Sequence, residues 1–341
     1  MPIAGKRPPG IIGLLLPVVA MTELDHAVAL LREGELVAIP TETVYGLAAD
    51  AANPAAVAKI FALKGRPSDH PLIVHIAGTA QLDDWATNIP ADARRLADAF
   101  WPGPLTLILK RQPHVPDAVT GGQDTVGLRA PAHPLAHALL EQFGGGLAAP
   151  SANRFGHVSP TTAQHVRDEF GDACPLVLDG GASPVGVEST IVSLVDDTPK
   201  LLRPGGVPRE AIEAVLGRKL EHHQSNKTAK IRASGLLDSH YAPRTPLILG
   251  PLPSLLDEAA RRLAAGERVL LLHRSAIGTP TSGIAHQQLA PDAAHFAREL
   301  YALLRRHDRQ HDVLLMEAPP QSPEWLAVND RLKRAATTRL D

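Results

Sequence analysis

Short apolar runs alternate with helical periodicity along most of the chain, and no other feature restricts the fold as much. Runs at residues 36–39, 72–76, 105–109, 126–128, 147–149, 176–178 and 190–194 have strand length. Helical patterns separate them, at 22–33, 54–63, 91–99, 134–143 and 161–170. Ser159, Pro160 and Thr161 open the last of these, a capping hydroxyl with proline near the first turn. A chain that changes period in this way must lay helices on a sheet, so it folds as a layered α/β protein.

The same grammar returns later in the chain. Strand patterns at 246–249, 268–272 and 312–316 alternate with helical ones at 253–265, 292–306 and 324–336. This order predicts a second, smaller, Rossmann-like α/β unit. Between the units lies a polar stretch without apolar periodicity. Charge marks it too: residues 1–215 hold 16 basic and 23 acidic side chains (-7), residues 216–239 hold 5 and 2 (+3), and residues 240–341 hold 13 and 11 (+2). The organisation expected is an N-terminal extension over 1–20, a catalytic domain over 21–215, a linker over 216–245 and a small domain over 246–341.

Several classes drop out. The single cysteine, Cys174, excludes an intrachain disulfide framework and a Cys-rich metal site. A net charge of -2 excludes a generally basic coat for nucleic acid. Lys6 and Arg7 before the run at 11–20 resemble a signal peptide, but the run holds Gly13 and Pro17 and is too short to span a bilayer. Residues 1–20 read as an extension or an upstream start, and the protein as soluble and cytoplasmic. No GxxxxGK[ST], GxGxxG after a strand, GxSxG or HExxH occurs. The His222–His223 pair reads as solvated, and Cys174 as a small, partly buried residue.

Five polar segments sit at the ends of apolar runs, where open α/β sheets present ligands. They are Pro40–Leu47 (PTETVYGL); Lys64–Pro67 with His70–His75; Thr125–Pro131; Ala148–Asn153 with Gly156 and Ser159; and Gly186–Val192 with Leu202–Gly205. Each has an ordinary structural reading. Lys64 and Arg66 suit a helix C-terminus as well as a phosphate. Arg129, inside an apolar strand, needs a carboxylate partner, either internal or on a ligand. Together the five make a case of low specificity for an ATP-like ligand and a small carboxylate.

In this order the segments resemble the threonylcarbamoyl-AMP synthase family. PTETVYGL, KGRP with PLIVHI, WPGPLT, VGLRAP, APSAN and GVESTIV carry the resemblance to its YrdC-like domain. Ser239-His240-Tyr241-Ala242-Pro243 and Leu326–Leu332 (LAVNDRL) resemble the long, two-domain form, and the likeness covers roughly residues 22–341. It implies a twisted open YrdC-like α/β sheet followed by the smaller Rossmann-like domain. It also implies a reaction: L-threonine, bicarbonate and ATP give threonylcarbamoyl-AMP and pyrophosphate. A separate transferase would use the product for N6-threonylcarbamoyladenosine at tRNA position 37.

Carried over by motif, Thr43, His75, Arg129, Ala149 and Ser189 are implied to hold L-threonine. Arg66, His70, Thr125, Ser151, Asn153, Ser159, Arg203 and Tyr241 are implied to hold ATP, with Lys64 and Arg66 as the catalytic cations. His70 stands where the family commonly has Asn, and Ala233-Ser234-Gly235 where its linker often has Pro-Gly. Mg²⁺ is expected on the phosphates, with no metal site of the protein's own, and the linker is expected to close as a lid. Weak tRNA contact and no membrane partner are also expected. Two rivals stand beside this reading. The carbamoyltransferase of hydrogenase maturation shares the domain but carries Cys-rich zinc fingers, which one cysteine rules out. A module that binds double-stranded RNA or nucleotides without adenylate synthesis is disfavoured by the -7 charge of the first unit.

Overall fold

The structure, a computed structural model, describes residues 18–222, 232, 241–278 and 283–341. Most of the expected N-terminal extension, His223 and most of the linker lie outside these residues. Among the described residues no helix is long and apolar enough to cross a membrane.

The first unit runs α1 (Val18–Arg32), β1 (Val37–Ile39), β2 (Gly46–Asp50), α2 (Pro54–Lys64), β3 (Ile73–His75), α3 (Leu82–Trp85), β4 (Ala86–Thr87), α4 (Ala91–Phe100) and β5 (Leu105–Arg111). It continues with α5 (Asp117–Thr120), β6 (Thr125–Arg129), α6 (Pro134–Phe143), β7 (Leu147–Ala148), α7 (Ala163–Phe170), β8 (Leu176–Val177), β9 (Thr190–Ser193), β10 (Lys200–Arg203), α8 (Arg209–Leu216) and β11 (Glu221–His222). The strands form one mixed sheet in the order β11-β10-β9-β5-β6-β3-β7-β2-β1-β8, with β4 beside β5.

Sheet register is what gathers the polar segments. β3 pairs parallel with β6, His75 opposite Arg129, and antiparallel with β7, Val74 opposite Ala148. β1 and β2 form an antiparallel hairpin, so residues 40–45 are its tight loop and not the exit of a lone strand. β9 joins β5 in parallel, Thr190 opposite Leu105, which brings Ser189 to the same region. Apolar side chains such as Leu47, Ile60, Val74, Leu105 and Leu128 are fully buried on this sheet. Each contributes about 1.5–3 kcal/mol relative to exposure.

Two details of the first unit differ from the sequence reading. Thr162, not Ser159, caps α7: its side chain accepts from His165 N at 3.2 Å, and the helix starts at Ala163. β11 adds a strand inside the stretch read as linker from residue 216.

The second unit has β12 (Leu247–Gly250), α9 (Leu252–Ala264), β13 (Val269–His273), β14 (Ala285–Gln288), α10 (Ala293–His307), β15 (Val313–Glu317), α11 (Leu326–Ala335) and β16 (Thr338–Arg339). All five strands are parallel, in the order β14-β13-β15-β12-β16. This is the Rossmann-like architecture expected, with β14 and β16 as unforeseen edge strands. The two units share an apolar cluster in which Val44, Val158 and Val187 of the first pack with Leu300, Tyr301 and Val328 of the second. Gly186 belongs to this junction: a Cβ there would stand 2.4 Å from the Arg298 Cα on α10, so only glycine permits the approach.

Candidate active site

The cationic segment is built by the way α2 starts and stops. The Asn53 side chain accepts from Ala55 N and Ala56 N, and Pro54 occupies the first turn. Gly65 ends the helix in the left-handed region (φ 61°), and Arg66 N donates to Phe61 O at 3.0 Å. That turn delivers Arg66 beside β3. Lys64, one residue earlier, is buried at 3% exposure and donates through Nζ to Ser151 O at 2.5 Å and to Asn153 O. Burial, with Arg66 nearby, pushes its pKa well below the usual lysine value. Lys64 therefore fastens the loop after β7 from beneath and is not among the residues that line the cleft.

Arg129 finds an internal carboxylate, one of the two partners the sequence left open. Its Nη2 donates to Glu42 Oε1 at 2.6 Å, Nη1 to Thr43 Oγ1 at 2.9 Å and Nε to Gly103 O at 3.3 Å. Glu42 Oε2 accepts from Ala132 N at 3.0 Å. Thr41 donates its one hydroxyl hydrogen to Val44 O at 2.6 Å. The 2.8 Å contact between the Thr41 and Thr43 hydroxyls is therefore donated by Thr43. Arg203 donates through Nε and Nη2 to Ser189 O at 3.1 and 2.9 Å, and through Nη2 to Ser189 Oγ at 3.2 Å.

These groups close around one cleft. It is lined by Thr41, Thr43, Val44, Gly46, Arg66, Ile73, His75, Arg129, Ala149, Pro150, Ser151, Glu188, Ser189, Arg203 and Tyr241. The free space is only about 40 Å³, room for a few waters. Two roomier cavities, of about 520 and 400 Å³, lie between the units, yet none of the sequence-derived site residues lines either. Chemistry, not size, identifies the site.

Burial dominates its electrostatics. It lowers Arg66 to about 10, and, with Arg129 alongside, takes His75 down to about 3, so His75 is neutral at physiological pH. Arg66 Nε and His75 Nδ1 are buried without a hydrogen-bond partner among the described residues. Buried polar atoms of this kind call for a partner, either water or a ligand. Burial alone would raise the Glu188 carboxyl, but Arg331 and Arg203 outweigh it and hold it at about 2. No group of three or more His, Cys, Asp or Glu that could hold a metal gathers among the described residues.

Some expected residues stand behind the cleft or beside it. Asn153 Nδ2 donates to Arg154 O at 2.8 Å and His157 O at 3.0 Å, pinning its own loop. Ser159 donates to Glu188 Oε1 at 2.7 Å. His70 packs edge-on against Phe155, ring centroids 5.5 Å apart. Thr125 lines a neighbouring cavity of about 10 Å³ with Arg232 of the linker, which bonds Asp69 at 3.1 Å and Gly121 O at 2.7 Å. Thr41 and Glu42 belong to a turn whose two threonines and glutamate could hold a small polar substrate, whereas Glu188 had no role assigned. Arg331 of the second unit, which bonds Glu188, lies in the LAVNDRL segment but had no assigned role, and Tyr301, its companion on Glu188, lies outside every segment singled out.

A family model described as "Telomere recombination" matches residues 29–205. One described as "Threonylcarbamoyl-AMP synthase, C-terminal domain" matches residues 207–337. The threonylcarbamoyl-AMP synthase of Pyrococcus abyssi is 42% identical over 323 residues, covering 92% of this chain and 94% of that protein. That of Bacillus subtilis is 42% identical over 328 residues, covering 93% and 94%. A crystal structure of P. abyssi Sua5 complexed with L-threonine superposes with a TM-score of 0.86 at 40% identity, covering 93% of this chain and 96% of that one. Likeness of this extent spans both units, and by it the chain belongs to the threonylcarbamoyl-AMP synthase family.

Proposed function

We propose that this cleft joins L-threonine, bicarbonate and ATP into threonylcarbamoyl-AMP and pyrophosphate, in the cytoplasm, for a separate transferase that modifies tRNA. The carrying observation is the convergence of Arg66, Arg129 and Arg203 with a neutral His75 on one buried cleft. The amine of threonine adds to bicarbonate with loss of water and gives a carbamate. A carbamate oxygen then attacks the α-phosphorus as the bond to the β-phosphate oxygen breaks, and pyrophosphate departs. The protein's share is positioning and charge neutralisation.

Arg129 uses three of its five N–H bonds on Glu42, Thr43 and Gly103, which leaves two for the threonine carboxylate. Thr43, Ser189, His75 and the Ala149 backbone surround that end. Arg66 and Arg203 face the phosphates, with Ser151 on the nucleotide. Ser159 and Asn153 act through the shape of the loop they hold. The one carboxylate lining the cleft, Glu188, and Glu42 behind Arg129 are already bonded to protein groups, so Mg²⁺ would come on the phosphates and add to their neutralisation. About 40 Å³ cannot admit a nucleotide, so the cleft has to open for ATP, and Tyr241 on its wall is the group from the linker that would close over the bound nucleotide. The RNA-binding rival is not favoured, since the full-length relatives are named as synthases.

The test is incubation with L-threonine, bicarbonate, Mg²⁺ and ATP, read by mass analysis. Threonine-dependent threonylcarbamoyl adenylate is expected. Pyrophosphate release that ignores threonine would overturn the assignment.

A further inference from the structure

Glu188 is an odd residue to find on the wall of a cleft for a triphosphate. Its carboxylate shares that wall with Arg66 and Arg203 and, left alone, would repel the ligand and compete for both guanidiniums. It is not left alone. Ser159 Oγ donates to Oε1 at 2.7 Å, and two residues of the second unit take Oε2: Tyr301 through its hydroxyl at 2.9 Å and Arg331 through Nε at 2.6 Å. Arg331 is fully buried. Its Nη1 donates to Pro204 O at 3.0 Å, next to Arg203, and to Asp330 at 2.7 Å. Its guanidinium lies over the Tyr241 ring, 5.3 Å from the centroid, and that ring stacks on Tyr301 at 5.7 Å. Tyr241 is also held in a left-handed backbone conformation (φ 63°), which a bulky residue adopts only when its surroundings impose it.

We propose that Arg331 is a positioning residue for the nucleotide end of the cleft: from the second unit it cancels the Glu188 charge, and through Glu188, Pro204 and Tyr241 it fixes Ser159, Arg203 and the closing tyrosine. The second unit thereby completes a site whose substrate contacts lie in the first unit and the linker. One buried carboxylate is the hinge of this arrangement. It orders Ser159, and its cost is met only while Arg331 is present. The proposal rests on the reading that the cleft takes ATP.

The experiment measures ATP and L-threonine binding to the full chain by calorimetry, for wild type, Arg331→Met, Glu188→Gln and the double variant. Arg331→Met is expected to weaken ATP binding by about tenfold or more, because a buried charge is left unpaired. Threonine binding, which lies at Arg129, should change far less. Arg331→Met/Glu188→Gln should regain most of the lost ATP affinity, which ties the loss to the unpaired Glu188 charge, while threonine affinity held near wild type in Arg331→Met is the readout that a merely structural arginine would not give. Should Arg331→Met fail to fold, Arg331→Lys keeps the charge without the fork and should retain partial ATP affinity while Tyr301→Phe loses less. Unchanged ATP affinity in Arg331→Met, or no rescue in the double variant, overturns the proposal. Wild type that binds no ATP would instead refute the functional reading beneath it.

Discussion

Replacing Lys64 by methionine separates a structural lysine from a chemical one. Lys64 Nζ bonds the Ser151 and Asn153 carbonyls at 3% exposure, so methionine would keep the packing but strand two buried acceptors. Each stranded carbonyl costs about 1–3 kcal/mol. Relief from burying an ammonium returns part of this. We expect a net loss of about 2–4 kcal/mol, which for a unit of this size is a fall in Tm of about 4–16 °C. The assay is urea and thermal unfolding of the full chain, followed by turnover on the fraction that remains folded. Lower stability with substantial turnover below the new Tm is the expected pattern, with the loss of turnover concentrated in ATP affinity because Ser151 shifts. A Lys64→Met protein as stable as wild type but inactive would refute the reasoning and return Lys64 to the phosphates.

Arg66→Met should shift the balance toward binding. Arg66 makes one bond to the fold, Nη2 to Pro71 O at 3.0 Å, and its Nε has no partner among the described residues, so stability should fall by about 1–2 kcal/mol while the KM for ATP rises at least tenfold; steady-state kinetics with denaturant curves decide this. Acid should weaken the fold from an unusually high pH. The folded-state pKa of His75 is lowered to about 3 and that of His165 to about 4, so between pH 6.5 and those values the unfolded chain binds more protons and stability falls with pH. His75 alone contributes a slope of up to about 1.4 kcal/mol per pH unit in that window. Below pH 4.5 the lowered carboxyls of Glu188 and Glu169, both about 2, add to the loss. Denaturant midpoints from pH 7 to 4 check the sign, and a flat profile between pH 6.5 and 5 would contradict it.

Much of this was legible in the sequence, for identifiable reasons. Strands such as β3 and β6 are short apolar runs buried on both faces, so they stand out from the polar turns around them. α2 stood out by its apolar pattern at 54–63, ended by Lys64-Gly65-Arg66, while its Asn53 cap was seen only in the structure. β14 did not, because its side chains are largely exposed and carry no apolar pattern, and β16 is two residues at a sheet edge. In the site, residue types pointed to chemistry but could not assign partners. Arg129 needed a carboxylate, yet nothing in the sequence chose Glu42, 87 residues away, over a ligand. Lys64 and Arg66 looked alike as cations, and only the helix end separates a lysine under the loop from an arginine in the cleft. The LAVNDRL segment of the second unit stood out, but not what its arginine meets. Arg331 and Tyr301 meet Glu188 across sequence separations of 143 and 113 residues, set by the packing of two domains.

The central claim is that this one cleft joins three substrates, and isotope incorporation tests it most directly. The full chain would be supplied with ¹³C-bicarbonate, L-threonine, Mg²⁺ and ATP, and the adenylate fraction weighed. The account predicts threonylcarbamoyl-AMP carrying the label in its carbamoyl carbon, absent when threonine is omitted and sharply reduced in Arg66→Met. An unlabelled adenylate of threonine itself, or no adenylate from a folded protein, would contradict it.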